Sequence, residues 1–207
     1  DLKLIHCNDA NCSGSDESIT TPDATNSGQD SSLVLDSSGY PVVSYYYTGS
    51  GDLKILHCND ANCSGGDESI TTPHTTNSVG LGTSLKLDAS GYPVVTYYDN
   101  TNDDLILMHC NDVNCAGDNE TITTIDSTGD VGHVSSLELD SSGYPLIAYS
   151  DITNLDIKVM HCNDANCAGG DETINSPDTT GNLGDASSHV AMTLDTSGYP
   201  VIAYYDA

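Results

Sequence analysis

The sequence predicts an all-β fold, a four-bladed β-propeller whose blades have four strands and about 52 residues each. The first observation is a tandem repeat, because the segments from Asp1, Asp52, Asp104 and Asp156 align end to end. The second is the alternation of apolar and polar residues in short runs that end at Gly, Pro, Asn, Asp and Ser clusters. The predicted single domain has four repeats, residues 1–51, 52–103, 104–155 and 156–207.

The first repeat defines the four predicted strands, which cover residues 2–7, 17–21, 32–36 and 42–46. In the first of them, Leu2, Leu4 and His6 share one face because successive side chains on a strand alternate. A tight turn follows the third strand, since Asp36 supplies a carboxylate for local backbone N–H groups and Gly39 takes a positive φ. The fourth strand is rich in β-branched and aromatic residues, as half-buried strands are.

The order of strands along the chain predicts how the blades are divided. If residues 32–36 form an innermost strand, the chain begins with the third and fourth strands of a blade and ends with the first and second. The run from residue 2 to residue 7 would then pair beside residues 201–205, so strands from both termini close the last blade. The alternative is an open or oligomeric array of repeats.

Two stretches carry a resemblance to a known family. Residues 32–46 (SLVLDSSGYPVVSYY) and residues 136–149 (SLELDSSGYPLIAY) resemble the repeats of bacterial extracellular proteins with BNR or sialidase-like β-propellers. The resemblance extends over all four repeats and implies a propeller in a secreted protein. The Asp-box repeats of true sialidases have a Trp after the Gly, and this chain contains no Trp. The resemblance therefore implies the architecture of these proteins and does not imply sialidase activity.

The eight cysteines recur as one local pair in each repeat. The pairs are Cys7/Cys12, Cys58/Cys63, Cys110/Cys115 and Cys162/Cys167. An even, repeated spacing predicts four disulfides, each a clamp on its own loop worth roughly 2 kcal/mol in the chain-entropy model, and an extracellular or cell-surface location. The alternative is a metal site with the preceding histidine. His6 and Cys7 point to opposite faces of a strand, however, and no fourth ligand is supplied.

The charge of the chain restricts its partners and its chemistry. Asp and Glu number 31 against 4 Lys, and the formal net charge is −27. Such a molecule repels polyanions, so we expect neither nucleic acid nor membrane insertion, and no apolar run is long enough to span a bilayer. The chain has no Arg to clamp an anionic sugar and no phosphate-binding loop. Sialidase and phosphoryl-transfer activities are therefore excluded.

Two repeated or clustered residue types are candidates for metal or rim sites. The four strand histidines are interpreted as partly buried residues bonded to neighbouring loops, with a ring on one rim of the propeller as the alternative; they are His6, His57, His109 and His161. The acidic loops offer oxygen ligands for Ca²⁺, with solvated turns as the alternative. The candidate calcium ligands are Asp99, Asp103, Asp104, Asp151 and Asp156. The remaining histidines, at positions 74, 133 and 189, look incidental.

All twelve aromatic residues are tyrosines, and eight of them recur as two groups of four. Those in the second strand of each blade are expected to fill the core between blades; they are Tyr45, Tyr97, Tyr149 and Tyr204. Those in the Gly-Tyr-Pro turns are candidate sugar-stacking residues; they are Tyr40, Tyr92, Tyr144 and Tyr199. Three Asn-x-Ser/Thr sequons predict glycosylation sites at Asn11, Asn62 and Asn119.

These observations favour a non-catalytic extracellular protein that acts as a structural, adhesive or assembly-forming component. A catalytic site is normally unique, whereas almost every candidate group has copies in the other repeats. The expected partners are other copies of the protein or surface glycans. The alternatives are a multivalent carbohydrate-binding lectin and a glycoside-hydrolase-type enzyme, the latter supported by fold analogy alone.

Overall fold

The structure is a computed structural model that describes residues 1–180 and 189–206, so residues 181–188 of the fourth repeat and residue 207 lie outside it. The regular structure in the described residues is entirely β. The strands are β1 (Leu2–His6), β2 (Ser18–Asp23), β3 (Ser27–Leu35), β4 (Pro41–Tyr47), β5 (Asp52–His57), β6 (Ser69–His74), β7 (Val79–Leu87), β8 (Pro93–Asp99), β9 (Asp104–His109), β10 (Thr121–Asp126), β11 (Val131–Leu139), β12 (Pro145–Asp151), β13 (Asp156–His161), β14 (Thr173–Asp178), β15 (Val190–Leu194) and β16 (Pro200–Tyr204). The described residues contain no helix able to span a membrane.

Three complete four-stranded antiparallel sheets lie between two half-sheets. The complete sheets have the orders β3-β4-β5-β6, β7-β8-β9-β10 and β11-β12-β13-β14, and the half-sheets are β1-β2 and β15-β16. We call the complete sheets blades 1, 2 and 3, and the half-sheets the N-terminal and C-terminal half-blades. The predicted strands and their division into blades are confirmed at this level.

The inner strand of each blade is longer than the sequence predicts. Strand β3 begins at Ser27, five residues before the predicted start, because its pairing with β4 shifts register between Ser27 and Gln29 and again between Gln29 and Ser32. Gly28 and Asp30 adopt positive φ at these bulges. A bulge interrupts the two-residue alternation of side chains, so this part of the strand has the sequence pattern of a loop.

The turn after each inner strand is built as predicted. One oxygen of Asp36 accepts hydrogen bonds from the backbone N–H groups of Ser38 and Tyr40, each at 2.8 Å, and Gly39 has a φ of 81°. The equivalent turns of the other repeats make the same contacts through Asp88, Asp140 and Asp195.

Apolar clusters lie between neighbouring blades and join them face to face. Between blades 1 and 2, Val42 and Ile55 share a cluster with Leu85 of the inner strand β7. Tyr45, Tyr97 and Tyr149 are fully buried, which confirms them as core residues; Tyr204 is only half-buried. Strand β7 contacts β3 and β11, and β11 contacts β15, so the strands predicted to be innermost do face one another.

Serine hydroxyls connect the inner strands of successive blades. Ser32 Oγ accepts from Leu85 N at 3.1 Å, and Ser84 Oγ accepts from Leu137 N at 3.0 Å. Ser136 Oγ accepts from Met192 N of the C-terminal half-blade at 2.9 Å. The position equivalent to these serines in the fourth repeat is an alanine, Ala191.

The two half-blades are separate sheets in the described residues. Strand β1 pairs with β2 and β16 pairs with β15, and no ladder joins β1 to β16. The N-terminal half-blade packs on blade 1 through Leu2 and Leu4, and the C-terminal half-blade packs on blade 3 through Met192. The described strands would thus make four blades, and the strands of the fourth are divided between the two half-blades.

All four predicted disulfides are present, which indicates an oxidising environment. They are Cys7–Cys12, Cys58–Cys63, Cys110–Cys115 and Cys162–Cys167. The three that belong to blades 1 to 3 are buried at the interfaces between blades, with each cysteine at most 3% exposed. The pair Cys7–Cys12 of the N-terminal half-blade is more exposed, since no preceding blade covers it.

The description of each disulfide as a clamp on its own loop is incomplete, and the structure corrects it for Cys115 and Cys167. Cys115 is 1% exposed and packs in the apolar cluster between blades 1 and 2, while Cys167 is 2% exposed and packs between blades 2 and 3. Both have a positive φ, 49° and 47°, at the end of the turn that the disulfide closes. The preceding blade covers these two disulfides, so their cysteines belong to the core and also hold the loop closed.

Candidate functional site

A cleft of about 440 Å³ lies where the inner strands converge. Its walls come from one inner strand of every repeat, and its polar lining includes Asp30, His133 and His189. Two of its hydroxyl groups are already bonded to neighbouring strands: Thr83 Oγ1 lies 2.6 Å from Ser44 Oγ, and Ser135 Oγ lies 2.9 Å from Thr96 Oγ1. We call this cavity the axial cleft.

The axial cleft is lined by residues that differ between repeats. The position three residues before Leu33 and its equivalents is occupied by Asp30, Gly82, Val134 or His189. Asp30 and His189 thus offer a carboxylate and an imidazole to the cleft. The interpretation of His133 and His189 as incidental missed this cleft. The variation at one aligned inner-strand position was the signal that could have found it.

His133 is held in a fixed position at the cleft. Its ring stacks on Tyr98 with the ring centroids 4.0 Å apart, and its Nε2 atom lies 2.7 Å from Asp130 Oδ1 in an ion-pair contact without hydrogen-bond geometry. Tyr98 in turn donates its hydroxyl to Asp103 and Asp130. Burial and these two carboxylates raise the pKa of Tyr98, so its hydroxyl remains protonated and serves as a donor.

A repeated contact of Asp, His and Asn joins the blades near one rim. His57 lies between two oxygens, with Nε2 3.2 Å from Asp36 Oδ2 of the same blade and Nδ1 3.1 Å from Asn114 Oδ1 of the next. His109 repeats the arrangement with Asp88 and Asn166. The predicted bonds of His57 and His109 to neighbouring loops are therefore confirmed, and both are half-buried as predicted, whereas His6 and His161 are exposed, so the predicted partial burial is wrong for these two. We call each contact a His latch.

The Gly-Tyr-Pro tyrosines lie beside the His latches. Tyr40 lines an open groove of about 420 Å³ together with Asp36, His57 and Asn114. Tyr40, Tyr92 and Tyr144 are half-buried, whereas Tyr199 of the C-terminal half-blade is 69% exposed. The structure thus places Tyr40 at a polar groove where a sugar could stack, and the role of the four tyrosines in binding stays a prediction.

A second repeated contact fixes the outer part of each interface. Asp23, at the end of β2, accepts from Tyr45 Oη at 2.9 Å and from Lys54 Nζ at 2.8 Å, and both donors belong to the next blade. Asp126 makes the same contacts with Tyr149 and Lys158. We call each of these contacts an Asp pin.

Two opposing effects, burial and hydrogen bonding, determine the pKa of Asp23 in its Asp pin. Burial opposes ionisation of this carboxyl group, but the hydrogen bonds from Lys54, Thr25 and Tyr45 outweigh it. They hold the pKa of Asp23 well below its usual range, so the pin stays ionised through mildly acidic conditions.

The pin between blades 1 and 2 is different because a histidine replaces the aspartate. His74 Nδ1 lies 2.9 Å from Tyr97 Oη, and Ile106 stands where the other blades have lysine. Burial lowers the pKa of His74, while the charges of Asp99 and Asp52 partly oppose this effect. The neutral imidazole is thus the form that the folded interface favours.

This replacement predicts a pH dependence of stability. Unfolded histidine takes up a proton near pH 6.5, whereas folded His74 takes it up only at lower pH. The unfolded state therefore binds more protons, and the free energy of unfolding contributed by His74 falls as pH decreases from 6.5 through the folded pKa. In urea unfolding between pH 7 and pH 5, His74→Asn should show a smaller loss of stability than the wild-type chain. Equal slopes for the two chains would contradict the prediction.

The candidate calcium ligands are divided between several environments. Asp99 and Asp151 are buried, and their oxygens accept hydrogen bonds from Asn102 and Asn154 of their own loops. Asp151 also pairs with Lys158 Nζ at 2.9 Å. Asp103 accepts from Tyr98, while Asp104 and Asp156 begin strands β9 and β13. Calcium binding stays a prediction, and it would have to displace these donors from Asp99 and Asp151.

Within the described residues, one group of three metal-ligating side chains is close enough to hold an ion, Cys58, Cys63 and Glu68. Its two sulfur atoms are joined in a disulfide and cannot act as thiolates. Glu68 Oε2 accepts from the backbone N–H of Asn59 at 2.7 Å, which clamps the disulfide loop to the following strand. The group is therefore structural.

The three sequons lie on the disulfide loops or close to them. Asn11 is exposed, whereas Asn62 lies in a His latch, where its Oδ1 atom is 2.7 Å from His6 Nδ1. Asn119 is exposed and accepts through its backbone carbonyl from Asn111. Glycosylation stays a prediction at all three positions.

Comparison with known proteins gives a likeness of fold. No family model and no curated protein matches the chain. Among solved structures, a bifunctional GH43-CE protein from Bacteroides eggerthii is 11% identical, with 88% of this chain and 23% of that chain covered and a TM-score of 0.54. A NanB sialidase from Streptococcus pneumoniae is 14% identical, with 84% and 27% covered and a TM-score of 0.47.

The likeness shows a propeller-like fold. This agrees with the resemblance seen in the repeats, and at such low identity it carries no information about activity. The chain spans about a quarter of the length of these solved chains.

Proposed function

We propose that this protein is a non-catalytic extracellular structural component that acts by assembly, through completion of the divided blade. Strand β16 of the C-terminal half-blade pairs with β1 of the N-terminal half-blade and produces a fourth four-stranded blade. The observation that carries the proposal is the exposure of apolar side chains at both ends, at positions that are buried in every complete blade.

Apolar side chains at both ends are exposed where their equivalents in blade 1 are buried. Ile5 is 60% exposed, whereas its equivalent Leu56 in blade 1 is fully buried. Val201 is 57% exposed, whereas its equivalent Val42 is 1% exposed. Burial of one such side chain stabilises a protein by about 1.5–3 kcal/mol, so pairing that covers both ends is favourable.

Inner strand β3 shows the same incompleteness. Leu33 is 52% exposed, while its equivalent Leu85 is 2% exposed because blade 1 covers it. Edge strands with apolar faces and unpaired backbone groups are also templates for pairing with another strand.

Blade 1 supplies the register for the missing pair. There β4 pairs with β5 so that Val43 lies opposite Leu56 and Tyr45 lies opposite Lys54. The aligned positions of the repeats place Ile202 opposite Ile5 and Tyr204 opposite Lys3. A shift of one residue would turn the apolar side chains of β16 to the other face, so this register is strongly favoured.

The two half-blades can come from one chain or from two. In one chain they would give the closed four-bladed ring that the sequence predicts, and in two chains they would join neighbouring copies. The pairing of β1 with β16 is the same in both cases.

Two further features support a structural, extracellular role. The repeated charged and polar groups of the His latches and Asp pins are engaged in contacts between blades. Four disulfides are typical of proteins that function in oxidising compartments.

An engineered cross-link tests the completed blade. With Ile5→Cys and Ile202→Cys in the full chain, mild oxidation should produce a new disulfide between these positions, since the native cysteines are already paired. The matched control combines Ile5→Cys with Ala203→Cys, which moves one thiol to the opposite face of β16. Peptide mass spectrometry should detect the first link and not the second. Failure of the first pair, or equal linkage of both pairs, would contradict the proposal.

Carbohydrate binding is the second candidate, and the axial cleft favours it. The cleft offers hydroxyl, carboxylate and imidazole groups in about 440 Å³, and its lining among the described residues contains neither Lys nor Arg. A neutral glycan is the ligand that this lining suits. A glycan array should show binding that His133→Ala abolishes and that Tyr40→Ala leaves unchanged. Loss with Tyr40→Ala alone would assign binding to the rim grooves instead.

A further inference from the structure

We propose that Lys158 and Asp126 join in an isopeptide bond, which links blade 3 to blade 2 covalently, and that Asp151 transfers the protons of this reaction. The bond forms between two side chains and releases water, so it needs no other reactant. The inference concerns blades 2 and 3 alone and does not rest on the completion of the divided blade.

The amine of Lys158 lies between two buried carboxyl groups. Its Nζ atom is 3.1 Å from Asp126 Oδ2 and 2.9 Å from Asp151 Oδ2. The lysine side chain is 13% exposed, that of Asp126 is 4% exposed and that of Asp151 is fully buried. The amine therefore already contacts the carboxyl group that it would attack, in a site that admits little water.

The pin of blade 3 differs from that of blade 1 by one carboxylate. Lys54 and Asp23 form the same ion pair, at 2.8 Å, between blade 1 and the N-terminal half-blade. Tyr47 occupies the position of Asp151 there, and Lys54 Nζ lies 4.1 Å from the centroid of its ring. The lysine of blade 1 thus has a carboxyl group to attack and lacks the second carboxylate that would take its proton.

The pin between blades 1 and 2 has the opposite deficiency. Asp99 occupies the position of Asp151, but Ile106 and His74 replace the lysine and the aspartate. Of the three pins on blades 1, 2 and 3, that of blade 3 alone combines the amine, the carboxyl group and the second carboxylate. A reactive site is normally unique, and this set of groups is unique among otherwise repeated contacts.

Hydrogen bonds around Asp126 prepare its carboxyl group for attack. Thr128 N donates to Oδ1 at 2.9 Å, and Tyr149 Oη donates to Oδ2 at 2.8 Å. When Nζ of Lys158 attacks Cγ of Asp126, negative charge develops on Oδ1, where the N–H of Thr128 stabilises it. Oδ2 becomes the leaving oxygen, and the hydroxyl of Tyr149 stabilises the charge on it.

Asp151 closes the proton balance of the reaction. Its carboxylate takes one proton from the Lys158 ammonium group, which frees the electron pair of Nζ to form the bond with Cγ of Asp126. A second proton leaves Nζ after the attack. Both protons reach Oδ2 by way of Asp151, the Cγ–Oδ2 bond breaks, and Oδ2 leaves as water. The product is an amide that keeps one N–H, Asp151 is again a carboxylate, and nothing is oxidised or reduced.

The charge state of Lys158 sets the rate of bond formation. Burial lowers its pKa, but the hydrogen bonds with Asp151 and Asp126 outweigh burial and raise it. The amine is therefore protonated in most molecules, and newly folded protein has the ion pair. Groups held in contact react as if at concentrations of about 10⁵–10⁸ M, so a small neutral fraction is sufficient. We expect the bond to accumulate slowly in the folded protein.

Trypsin digestion of aged protein tests the inference. The full chain has four lysines and no arginine, so trypsin cleaves it after residues 3, 54, 86 and 158. Folded protein is kept below its unfolding temperature for several weeks, and samples are then denatured, reduced and digested. Cleavage after Lys158 should decline with time, because its amine is blocked. A peptide of residues 87–207, lighter by one water molecule, should replace the peptides 87–158 and 159–207. Cleavage after Lys54 should stay complete.

Two variants test the role assigned to Asp151. Asp151→Asn keeps the size of the side chain but cannot carry the protons, so it should slow bond formation at least tenfold. Asp99→Asn makes the same change at the equivalent position of blade 2, where no lysine is present, and should leave the rate unchanged.

Three results would overturn the inference. The first is complete cleavage after Lys158 in aged wild-type protein, and the second is an unchanged rate in Asp151→Asn. The third is a loss of water with complete cleavage after Lys158, because that result indicates a succinimide at an aspartate. The wild-type digest decides the case in which a variant does not fold.

Discussion

Asp23→Ala is expected to lower the free energy of unfolding by about 3–5 kcal/mol, because it leaves a largely buried cation without its carboxylate. Asp23 is the carboxylate that pairs with Lys54, whose side chain is 13% exposed. It also accepts from Tyr45 Oη, and Tyr45 is fully buried. Both donors lose their acceptor together, at the interface that holds the N-terminal half-blade on blade 1.

The matched variant is Asp126→Ala in the equivalent pin of blades 2 and 3. Lys158 keeps a second carboxylate there, since Asp151 lies 2.9 Å from Lys158 Nζ. The cost should therefore be mainly that of an unpaired tyrosine hydroxyl, about 1–3 kcal/mol. Urea unfolding of the two variants at pH 7 measures the difference. Equal losses of stability in the two variants would show that the ion pair between Asp23 and Lys54 does not contribute to the stability of the protein.

Gly82→Ala is expected to cost about 3 kcal/mol, the second large effect. Gly82 has a φ of +57°, and a Cβ atom there would lie 2.1 Å from the carbonyl oxygen of His133 on the next inner strand. The positive φ costs about 1 kcal/mol for a residue with a side chain, and the steric conflict with a backbone atom adds about 1–3 kcal/mol. Strands β7 and β11 must separate to accept the methyl group, so the axial cleft should change shape as well.

Gly66→Ala is the control for the conformational part of that cost. Gly66 also has a positive φ, +75°, but no atom lies within 4 Å of the position of its Cβ. Repeat 1 has Ser15 at the same position, with a φ of 60°. The variant should therefore lose only about 1 kcal/mol of stability in urea unfolding. A loss as large as that of Gly82→Ala would place the cost in the backbone conformation and not in the contact between blades.

Much of the architecture was accessible from the sequence because local chemistry determines it. The turn at Asp36 and the alternation of residues 42–46 define strands through interactions of near neighbours, and the repeat multiplies the signal. The early start of β3 could not be predicted in this way. Its bulges at Gly28 and Asp30 satisfy the pairing with β4, a contact between distant residues, while they break the local pattern.

For the disulfides, too, the local sequence determines one property and the tertiary structure determines another. Their pairing follows from the spacing within one repeat, and all four pairs form as predicted. The burial of Cys115 and Cys167 comes from the neighbouring blade, whose apolar residues are distant in the sequence. The sequence of one repeat therefore predicts the disulfide that closes the loop, but it does not predict that the neighbouring blade buries this disulfide.

The candidate sites were predicted with uneven success for a related reason. Repetition in the sequence identifies residues such as the strand histidine His57, and such residues contribute to the interfaces between blades. The axial cleft instead combines His133 and His189, whose positions hold other residue types in the other repeats. Their proximity follows from the convergence of inner strands, and that is a property of the tertiary structure.

The central claim, that β1 and β16 pair to complete a blade, is tested most directly by amide hydrogen exchange of the intact protein. At high protein concentration the amides of Ile5 and Ile202 should exchange as slowly as those of Leu56 and Val43 in the complete blade 1. Exchange of the terminal strands that is fast at every concentration, while blade 1 remains protected, would contradict the account.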